Sequence, residues 1–407
     1  MTATQAPAAP TAAFGFGLQN QTVPFFQPDA VQQQSTTLAQ STQTTVQYSN
    51  FMNTDVVQQW YFSPSLNLTA PTGTTNTVSP LGPFAAIQNI KVNVQNQFDV
   101  VNTSGVDLYI KEQLWPYLEK DQFGSQTPFS TAAYPAAASR LYGADAETVS
   151  ATDLVYDDLL PIGPAYHFDD YYHIDIASGA TLSTKGIVSQ RLWTGIQYLG
   201  GTNRSIFPTV VYNPLVGSNA QNGVWTVSGT QTAGASGTVE ASFFRDGFFQ
   251  NNPAYLPSST NWVPTFVTYP ILVGNDPTWV YQLPKALQIL GIVFRFFDPA
   301  SNAAPSPSDI SSLKLSVGSG LIRRQDTPLT MQRYLNAQRQ RPAQLPPGTY
   351  AWDLVHDKAA HTTNRLAVNT FVTQGCQTEV KFSTPMSNQG MCYVSIFGLT
   401  YVELAGL

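Results

Sequence analysis

Charged side chains are scarce in this 407-residue sequence. Asp, Glu, Lys and Arg together make up 11% of the residues, less than half of the share of about 25% that is usual in a soluble domain. Gln, Asn, Thr and Ser supply the polarity instead, so much of the surface is predicted to be neutral. A neutral surface is typical of a protein that packs against copies of itself, since freely soluble enzymes carry more charge.

Basic residues and cysteines are also few. The 19 basic residues are outnumbered by 25 acidic ones, which gives a net charge of −6. A nucleic-acid-binding protein needs a basic field to neutralise phosphates, so direct nucleic-acid binding is excluded as the main function. The two cysteines, Cys376 and Cys392, are too few for a disulfide framework or a four-cysteine zinc site. Both lie in alternating apolar patterns, which predicts buried free thiols.

Long apolar runs are absent as well. No stretch approaches the roughly 20 apolar residues of a membrane-spanning helix. The N-terminus lacks the basic segment and the continuous apolar segment of a secretory signal. We therefore expect a protein that is soluble when made and stays in the cytosol.

Strand patterns dominate the chain. The alternation of strands and helices that would build a parallel sheet is missing, which disfavours an α/β enzyme fold. Strict alternation of apolar and polar residues favours antiparallel sandwiches with one solvated face. The predicted strands are Ile90–Phe98, Val106–Ile110, Tyr172–Ile176, Gly186–Leu199, Val224–Val227, Thr238–Phe249, Leu287–Phe297, Leu313–Val317, Tyr350–Val355, Leu366–Val372, Cys376–Phe382 and Cys392–Leu404.

One helix stands out among these strands, between Thr327 and Arg341. Thr327 or Asp326 can cap its first turn, and Pro328 suits the first helical position. Three apolar residues at spacings of three and four share one face: Met331, Tyr334 and Leu335. Prolines at 346 and 347 and Gly348 forbid continuation, and the next strand, Tyr350–Val355, is predicted to bury one face.

The strands fall into two groups that meet near residue 255, which predicts two sandwiches in tandem. Residues 1–45 hold a single charge, Asp29, and too little apolar surface to order themselves. They are predicted to be a flexible N-terminal arm, either disordered or ordered only within an assembly. Residues 46–252 are assigned to the first sandwich, with a long loop insertion at 123–164, and residues 253–407 to the second. A Pro- and Asn-rich connection is predicted over 250–264.

One constellation has the composition of a metal site. On a strand, His167, Asp169, His173 and Asp175 would share one face, and imidazole and carboxylate groups are metal ligands. The same spacing is found in any strand with a solvated polar face, and this second interpretation is favoured. Asp169 and Asp170 would point to opposite faces and do not form an acid–base pair.

No other cluster predicts chemistry. The pairs Asp157–Asp158 and Asp145/Glu147 lie in loop context, and His356 and His361 flank Asp357 and Lys358 in a predicted turn. Nucleophile elbows, phosphate-binding loops and dinucleotide-binding loops are absent. We therefore predict no catalytic, cofactor-binding or metal-binding residues, no cofactor and no enzymatic activity.

The C-terminal region resembles a known family. The Arg-bearing helix Thr327–Arg341 is followed by Leu345-Pro-Pro-Gly-Thr-Tyr350, by a strand with Trp352-Asp353 and by a closing aromatic strand. This order resembles the major capsid proteins of tailless bacteriophages with an internal membrane, in the double jelly-roll lineage of tectiviruses and the adenovirus hexon. The resemblance covers about Asp326 to Leu407, with a looser match from Ile174 to Leu199.

The resemblance implies an all-β fold of two tandem eight-stranded jelly rolls with short helical insertions. It also implies a homotrimer of pseudo-hexagonal outline that tiles an icosahedral virion shell. The implied partners are neighbouring trimers, penton and minor capsid proteins, membrane proteins of the virion, and an internal lipid membrane beneath the N-terminal arm. The implied location is the virion capsid, reached from the host cytoplasm during assembly.

Two alternatives from other functional classes remain. A carbohydrate- or receptor-binding phage spike would account for the aromatic residues and would present aromatic platforms, for which residues 123–164 are the candidate region. A β-sandwich glycoside hydrolase would need two carboxylates roughly 5–10 Å apart across a cleft. Its candidate residues are Asp169, Asp175 and Glu240.

Overall fold

The structure is a computed structural model dominated by β-strands. It describes residues 26–28, 32–48, 56–73, 75–79, 81–94, 98–114, 145–149, 153–157, 175–176, 181–184, 190–198, 208–219, 221–248, 260–318, 320–337, 345–354, 368–370 and 375–403. In these ranges the helices are α1 (Gly105–Leu114), α2 (Pro328–Ala337) and the 3₁₀ turns Gly82–Ala86 and Pro307–Asp309. None of the described helices is long and apolar enough to cross a membrane.

The strands of the first half are β1 (Phe26–Pro28), β2 (Gln32–Thr37), β3 (Thr44–Gln47), β4 (Val56–Thr69), β5 (Thr75–Val78), β6 (Ile87–Val94), β7 (Phe98–Thr103), β8 (Asp145–Val149), β9 (Asp153–Asp157), β10 (Asp175–Ile176), β11 (Thr181–Thr184), β12 (Gln190–Tyr198), β13 (Pro208–Tyr212), β14 (Trp225–Ser228) and β15 (Ser236–Phe248). Those of the second half are β16 (Thr260–Leu272), β17 (Thr278–Gln282), β18 (Leu287–Phe297), β19 (Ile310–Val317), β20 (Leu321–Asp326), β21 (Thr349–Asp353), β22 (Val368–Asn369), β23 (Gln377–Phe382) and β24 (Met391–Glu403).

The second sandwich is formed by strands β16 to β24. One of its sheets has the order β21-β18-β24-β16, with β22 also on β18, and the other has the order β17-β23-β19-β20. Aromatic rings fill the space between the sheets, as Phe296 shows by packing edge-on against Trp279 and Phe382. Leu313, Val380 and other apolar residues complete this core. Burial of apolar surface between the two sheets is therefore the main stabilising term here.

The first sandwich is built around a larger sheet. Its order is β1-β15-β4-β11-β9-β8, with β12 also on β4 and β2 on β15. Opposite it run β7, β6, β13 and β3, and β10, β5 and β14 form a smaller three-stranded sheet. The inward residues are apolar and buried, among them Leu68, Val92, Val210 and Val239.

The two sandwiches share one continuous sheet. β7 of the first pairs in parallel with β16 of the second, with Phe266 opposite Val101 and Val267 opposite Asn102. The result is a nine-stranded sheet of order β21-β18-β24-β16-β7-β6-β13-β3, with β22 on β18. Backbone hydrogen bonding across this seam makes the two sandwiches one structural body.

Residues Val106–Ile110 form a helix, so the prediction of a strand there is wrong. Their apolar residues also satisfy helical spacing, because Val106, Ile110 and Leu114 lie four apart and are all buried. The hydrogen bonds of an N-terminal cap favour the helix over the strand. The Asp107 N–H donates to Ser104 Oγ at 3.1 Å, and Ser104 Oγ–H donates back to Asp107 Oδ2 at 2.6 Å, which satisfies an otherwise free donor of the first turn.

The predicted connection over 250–264 is too long, because β16 begins at Thr260. Pro264 and Pro270 argue against a strand in the sequence, because proline lacks the N–H that a central strand donates. The structure accommodates both prolines: β24 pairs along the whole of β16, whereas the pairing with β7 is confined to Phe266 and Val267, between the two prolines.

Two predicted irregular regions contain strands. Within the predicted arm 1–45, β1 and β2 pair with β15, and β3 pairs with β13. Backbone pairing needs no apolar side chain, so the pattern of apolar residues could not predict the Gln- and Thr-rich β2. Within the predicted loop 123–164, β8 and β9 form an antiparallel pair. Residues 1–25 and 123–144 lie outside the described residues.

Several elements of the second half follow the predictions, whereas β16, β17 and β20 were not predicted. α2 begins after Thr327, whose Oγ1 accepts from Thr330 N–H at 3.2 Å. β18 and β24 run as predicted, and β23 alternates buried and partly exposed residues. One correction concerns β21, which buries both faces, including Thr349 and Asp353. This strand lies at the end of its sheet, where α2 contacts it, and neither of its faces is solvated.

Candidate functional site

A buried ion pair joins the two sandwiches beside the shared sheet. Arg295, near the end of β18, belongs to the second sandwich, and Asp107 in the first turn of α1 belongs to the first. Arg295 Nε and Nη2 donate to Asp107 Oδ1 and Oδ2, both at 2.9 Å. Both side chains are almost fully buried, 3% and 0% exposed. The contact is a bidentate, charge-assisted pair, the strongest class of protein hydrogen bond.

Two further groups surround the guanidinium. Nη1 donates to Gln221 Oε1, which comes from the loop after β13 in the first sandwich. The ring of Tyr393 lies 4.2 Å from Arg295 Cζ, in the range of a cation–π contact. Burial is the largest influence on the pKa of Arg295 and by itself would lower it, but the attraction of Asp107, the hydrogen bonds to it and the nearby Tyr393 and Cys392 together outweigh burial, and the pKa is raised. The guanidinium is therefore charged at every physiological pH.

Asp107 is itself held in place by its helix cap. Ser104 Oγ–H donates to the oxygen of Asp107 that also accepts from Arg295 Nη2. Gly105 allows α1 to approach this closely, because a Cβ there would lie 2.9 Å from Ile87 Cβ. The capping bond that starts α1 thus also orients the carboxylate toward the second sandwich.

A chain of hydroxyl groups crosses the same seam. Thr103 at the end of β7 lies 2.6 Å from Thr268 in β16 (Oγ1 to Oγ1), and Thr268 lies 2.8 Å from Ser395 Oγ in β24. Thr103 and Ser395 are buried. These hydrogen bonds extend the backbone pairing of the shared sheet with side-chain contacts. We name the ion pair, Gln221, Tyr393 and the hydroxyl chain together the junction.

The junction is suited to fixing an orientation and not to catalysis. The Arg295 guanidinium and the Asp107 carboxylate are each bonded to a residue of the opposite sandwich, and their charges compensate each other. A bidentate Arg–carboxylate pair has a fixed planar geometry, so it defines how one sandwich sits on the other. The junction therefore holds the two halves of the chain in one relative orientation.

The thiol of Cys392 lies beside the junction, close enough to be influenced by the charges of Arg295 and Asp107. It is free and completely buried next to Tyr393, and burial raises its pKa well above that of an ordinary thiol, although the charge of Arg295 opposes the rise. Reactivity requires the thiolate. Cys376 is also a buried thiol outside any disulfide, as the sequence predicted for both cysteines.

We expect Cys392 in a Cys376→Ser variant to be inert to Ellman's reagent in the folded protein at pH 8. The raised pKa leaves little thiolate, and burial denies the reagent access. The absorbance of the released thionitrobenzoate measures the rate, with the same variant in denaturant as the control that reacts fully. Labelling of the folded protein at the rate of the denatured one would contradict the buried position.

Most residues of the candidate metal site lie outside the described residues. This applies to His167, Asp169 and His173, and also to Asp158, His356, Asp357, Lys358 and His361. Asp175 begins β10, which pairs with β5 in the three-stranded sheet. In the part of the chain that the structure describes, no group of three or more His, Cys, Asp or Glu residues could hold a metal ion.

The described carboxylates of the glycosidase alternative are not brought together by the sheet topology. Glu240 is exposed on β15 of the large sheet, whereas Asp175 lies on β10 of the three-stranded sheet. Asp145, Glu147 and Asp157 fall on β8 and β9 at the edge of the large sheet. Sequence reasoning missed Asp107 and Arg295, although a lone arginine in the apolar run Leu287–Phe297 is a signal that a buried partner exists.

The sequence matches no family model and no curated protein. The fold is similar to that in the atomic structure of Sulfolobus turreted icosahedral virus, at 9% identity over 93% of this chain and 91% of that chain, with a TM-score of 0.50. A second match is the crystal structure of the STIV MCP, at 12% identity over 94% of this chain and 100% of that chain, with a TM-score of 0.48. A third is the crystal structure of the major capsid protein P2 from bacteriophage PM2, at 8% identity over 92% of this chain and 100% of that chain, with a TM-score of 0.39. The chain has the all-β double jelly-roll fold that the sequence resemblance implied.

Proposed function

We propose that this protein is the major capsid protein of a tailless icosahedral virus and that three copies form a flat tile of its shell. The observation that carries the proposal is the junction, which fixes two jelly rolls of one chain in a single orientation by a shared sheet and a buried Arg295–Asp107 pair. A rigid pair of similar bodies is the unit that a three-fold oligomer needs to present six sides.

The surface composition supports assembly over catalysis. With 11% charged residues, the chain presents amide, hydroxyl and apolar groups, and interfaces are depleted in charge at their centres. The fold match adds the structural precedent of an icosahedral virus. A structural role without enzymatic activity follows from this proposal, with the virion capsid as the location and neighbouring tiles and minor capsid proteins as partners.

The N-terminal segment is proposed to face the inside of the shell. Residues 1–45 carry one charge, Asp29, and no Lys or Arg, so this segment has no basic side chain to neutralise the phosphates of a nucleic acid. An internal lipid layer, as in the phages that the sequence resembles, is the proposed contact. The arm that reaches it precedes β1, since residues 26–28 and 32–37 are paired with β15.

Size-exclusion chromatography with light scattering on the purified chain tests the proposal. We expect the mass of three chains at micromolar concentration, with no intermediate species, because a closed ring satisfies every contact. A monomer at all concentrations, or a dimer, would overturn the proposed tile. Glycan-array binding by such a monomer would then favour the receptor-binding alternative.

A further inference from the structure

The sequence contains a single Asn-Gly pair, Asn222-Gly223, in the loop between β13 and β14 of the first jelly roll. Asn-Gly is the dipeptide most prone to spontaneous deamidation, because glycine has no side chain to hinder attack by its backbone nitrogen on the preceding side-chain amide. The pair is also a common turn sequence. What it does in this protein therefore depends on how the fold holds the two residues.

Glycine is required at position 223 by close backbone packing. A Cβ on Gly223 would overlap the backbone N and Cα of Gly217, and a Cβ on Gly217 would overlap Asn222 Oδ1 and the Gly223 nitrogen. Gly217 is itself fixed, because its N–H donates to the C=O of Trp225 at 2.9 Å, and Trp225 is completely buried. The loop therefore cannot lose its Asn-Gly pair by replacing the glycine.

Both polar atoms of the Asn222 side-chain amide are hydrogen-bonded within the loop. Oδ1 accepts from the Asn219 N–H at 3.0 Å, and Nδ2 donates to Ser218 Oγ at 3.0 Å. The backbone N–H of Asn222 donates to the C=O of Asn219 at 3.3 Å. These bonds fix both the backbone and the side-chain rotamer of Asn222 in the folded protein.

The same loop contributes to the junction. Gln221, the neighbour of Asn222, accepts from Arg295 Nη1 through its Oε1, and its C=O accepts from Asn213 Nδ2 at 3.2 Å. A change in the backbone at Asn222 would therefore displace a residue that contacts the guanidinium. The chemical state of Asn222 is thus linked to the contact between the two jelly rolls.

Deamidation needs a geometry that the folded loop excludes. The Gly223 nitrogen attacks Cγ of Asn222, the Cγ–Nδ2 bond breaks, and ammonia leaves with the proton of the attacking N–H, which gives a succinimide. Water then opens this ring to aspartate or isoaspartate. The attack requires the Asn222–Gly223 peptide to turn toward the side chain, whereas Gly217 packs against that peptide and Ser218 and Asn219 hold the amide. Isoaspartate would also add one atom to the backbone where it touches Gly217.

We propose that Asn222 is a modification site that reacts in the unfolded chain and is protected by folding of the β13–β14 loop. A chain that folds promptly keeps its amide. A chain that stays unfolded accumulates isoaspartate and cannot rebuild the contact between Gly217 and Gly223. The modification therefore marks chains whose jelly rolls have not been joined. This proposal goes beyond the proposed function and does not depend on how many copies assemble.

Peptide mapping by mass spectrometry tests the protection. The full chain is incubated at mildly alkaline pH, either folded or in urea, and the converted fraction of Asn222 is followed with time. Conversion in the folded protein is expected to be slower on the order of tenfold or more, because two side-chain hydrogen bonds must break before the attack. Equal rates in the two states would overturn the proposal.

Ser218→Ala removes the acceptor of the Asn222 amide at an exposed position. It is expected to raise the rate in the folded protein about fivefold, as the loss of one hydrogen bond implies, and to leave the rate in urea unchanged. The matched control is Ser301→Ala, because the Ser301 hydroxyl is exposed and donates within its own turn, to the C=O of Asp298. This control is expected to react at the wild-type rate.

Urea unfolding of each variant separates local protection from global stability. A Ser218→Ala rate equal to that of the wild type, or one that rises only as much as the free energy of unfolding falls, would overturn protection by the loop. Refolding of the sample aged in urea tests the consequence for folding. Isoaspartate is expected to be enriched in the fraction that size-exclusion chromatography separates from the native protein, and an even distribution between the two fractions would contradict it.

Discussion

Replacing Arg295 with methionine is expected to lower the free energy of unfolding by about 3–5 kcal/mol. The change leaves the Asp107 carboxylate buried without its cation, and an uncompensated buried charge is among the most destabilising lesions known. Because Gln221 Oε1 also loses its donor and the ring of Tyr393 loses the guanidinium above it, the effect extends across the junction. Urea unfolding followed by tryptophan fluorescence measures it.

The matched control is Lys91→Met, which breaks an ion pair with Asp99 at 3.2 Å in which the lysine is 45% exposed. Exposed pairs contribute about 1 kcal/mol or less. An Asp107→Leu/Arg295→Met double variant removes both charges together and is expected to be more stable than either single variant. A loss for Arg295→Met no larger than that of the control would contradict the role of the junction.

Trp352→Ala is expected to cost a similar amount, about 3–5 kcal/mol, through the cavity it leaves in the second jelly roll. Trp352 is 1% exposed, packs edge-on against Phe294 with ring centres 5.3 Å apart, and donates from Nε1 to Asp326 Oδ2 at 2.9 Å. Its loss removes both the ring contact and the hydrogen bond that anchors the start of α2.

Trp352→Phe separates these two contributions, since it keeps most of the ring and removes the donor. We expect a loss of about 1–2 kcal/mol for this variant, in line with an unmade hydrogen bond to a charged group. Because the shared sheet couples the jelly rolls, Trp352→Ala should shift a single urea transition seen by both fluorescence and circular dichroism. Two separated transitions would show that the jelly rolls unfold independently.

Several elements of the second jelly roll were predictable because their signals are local. The alternation of Gln377–Phe382 fixes which face of β23 is buried, and Thr327 with Pro328 fixes the start of α2. Such patterns need only neighbours in sequence. The same information identified the double jelly-roll resemblance, which the fold comparison confirms.

What the sequence could not reveal depends on distant partners. Val106, Ile110 and Leu114 fit a helix as well as Val106, Leu108 and Ile110 fit a strand, and the choice is made by a cap whose acid also serves Arg295 in the other jelly roll. Strand β16 contains two prolines and is recognisable only from its register with β7 and β24. The junction itself joins residues 188 positions apart.

Negative-stain imaging of the light-scattering peak tests the central claim most directly. If two locked jelly rolls per chain make the tile, class averages will show a flat particle with six lobes and a hexagonal outline from three chains. The two jelly rolls of each of the three chains account for the six lobes. A three-lobed or elongated particle of the same mass would contradict the account.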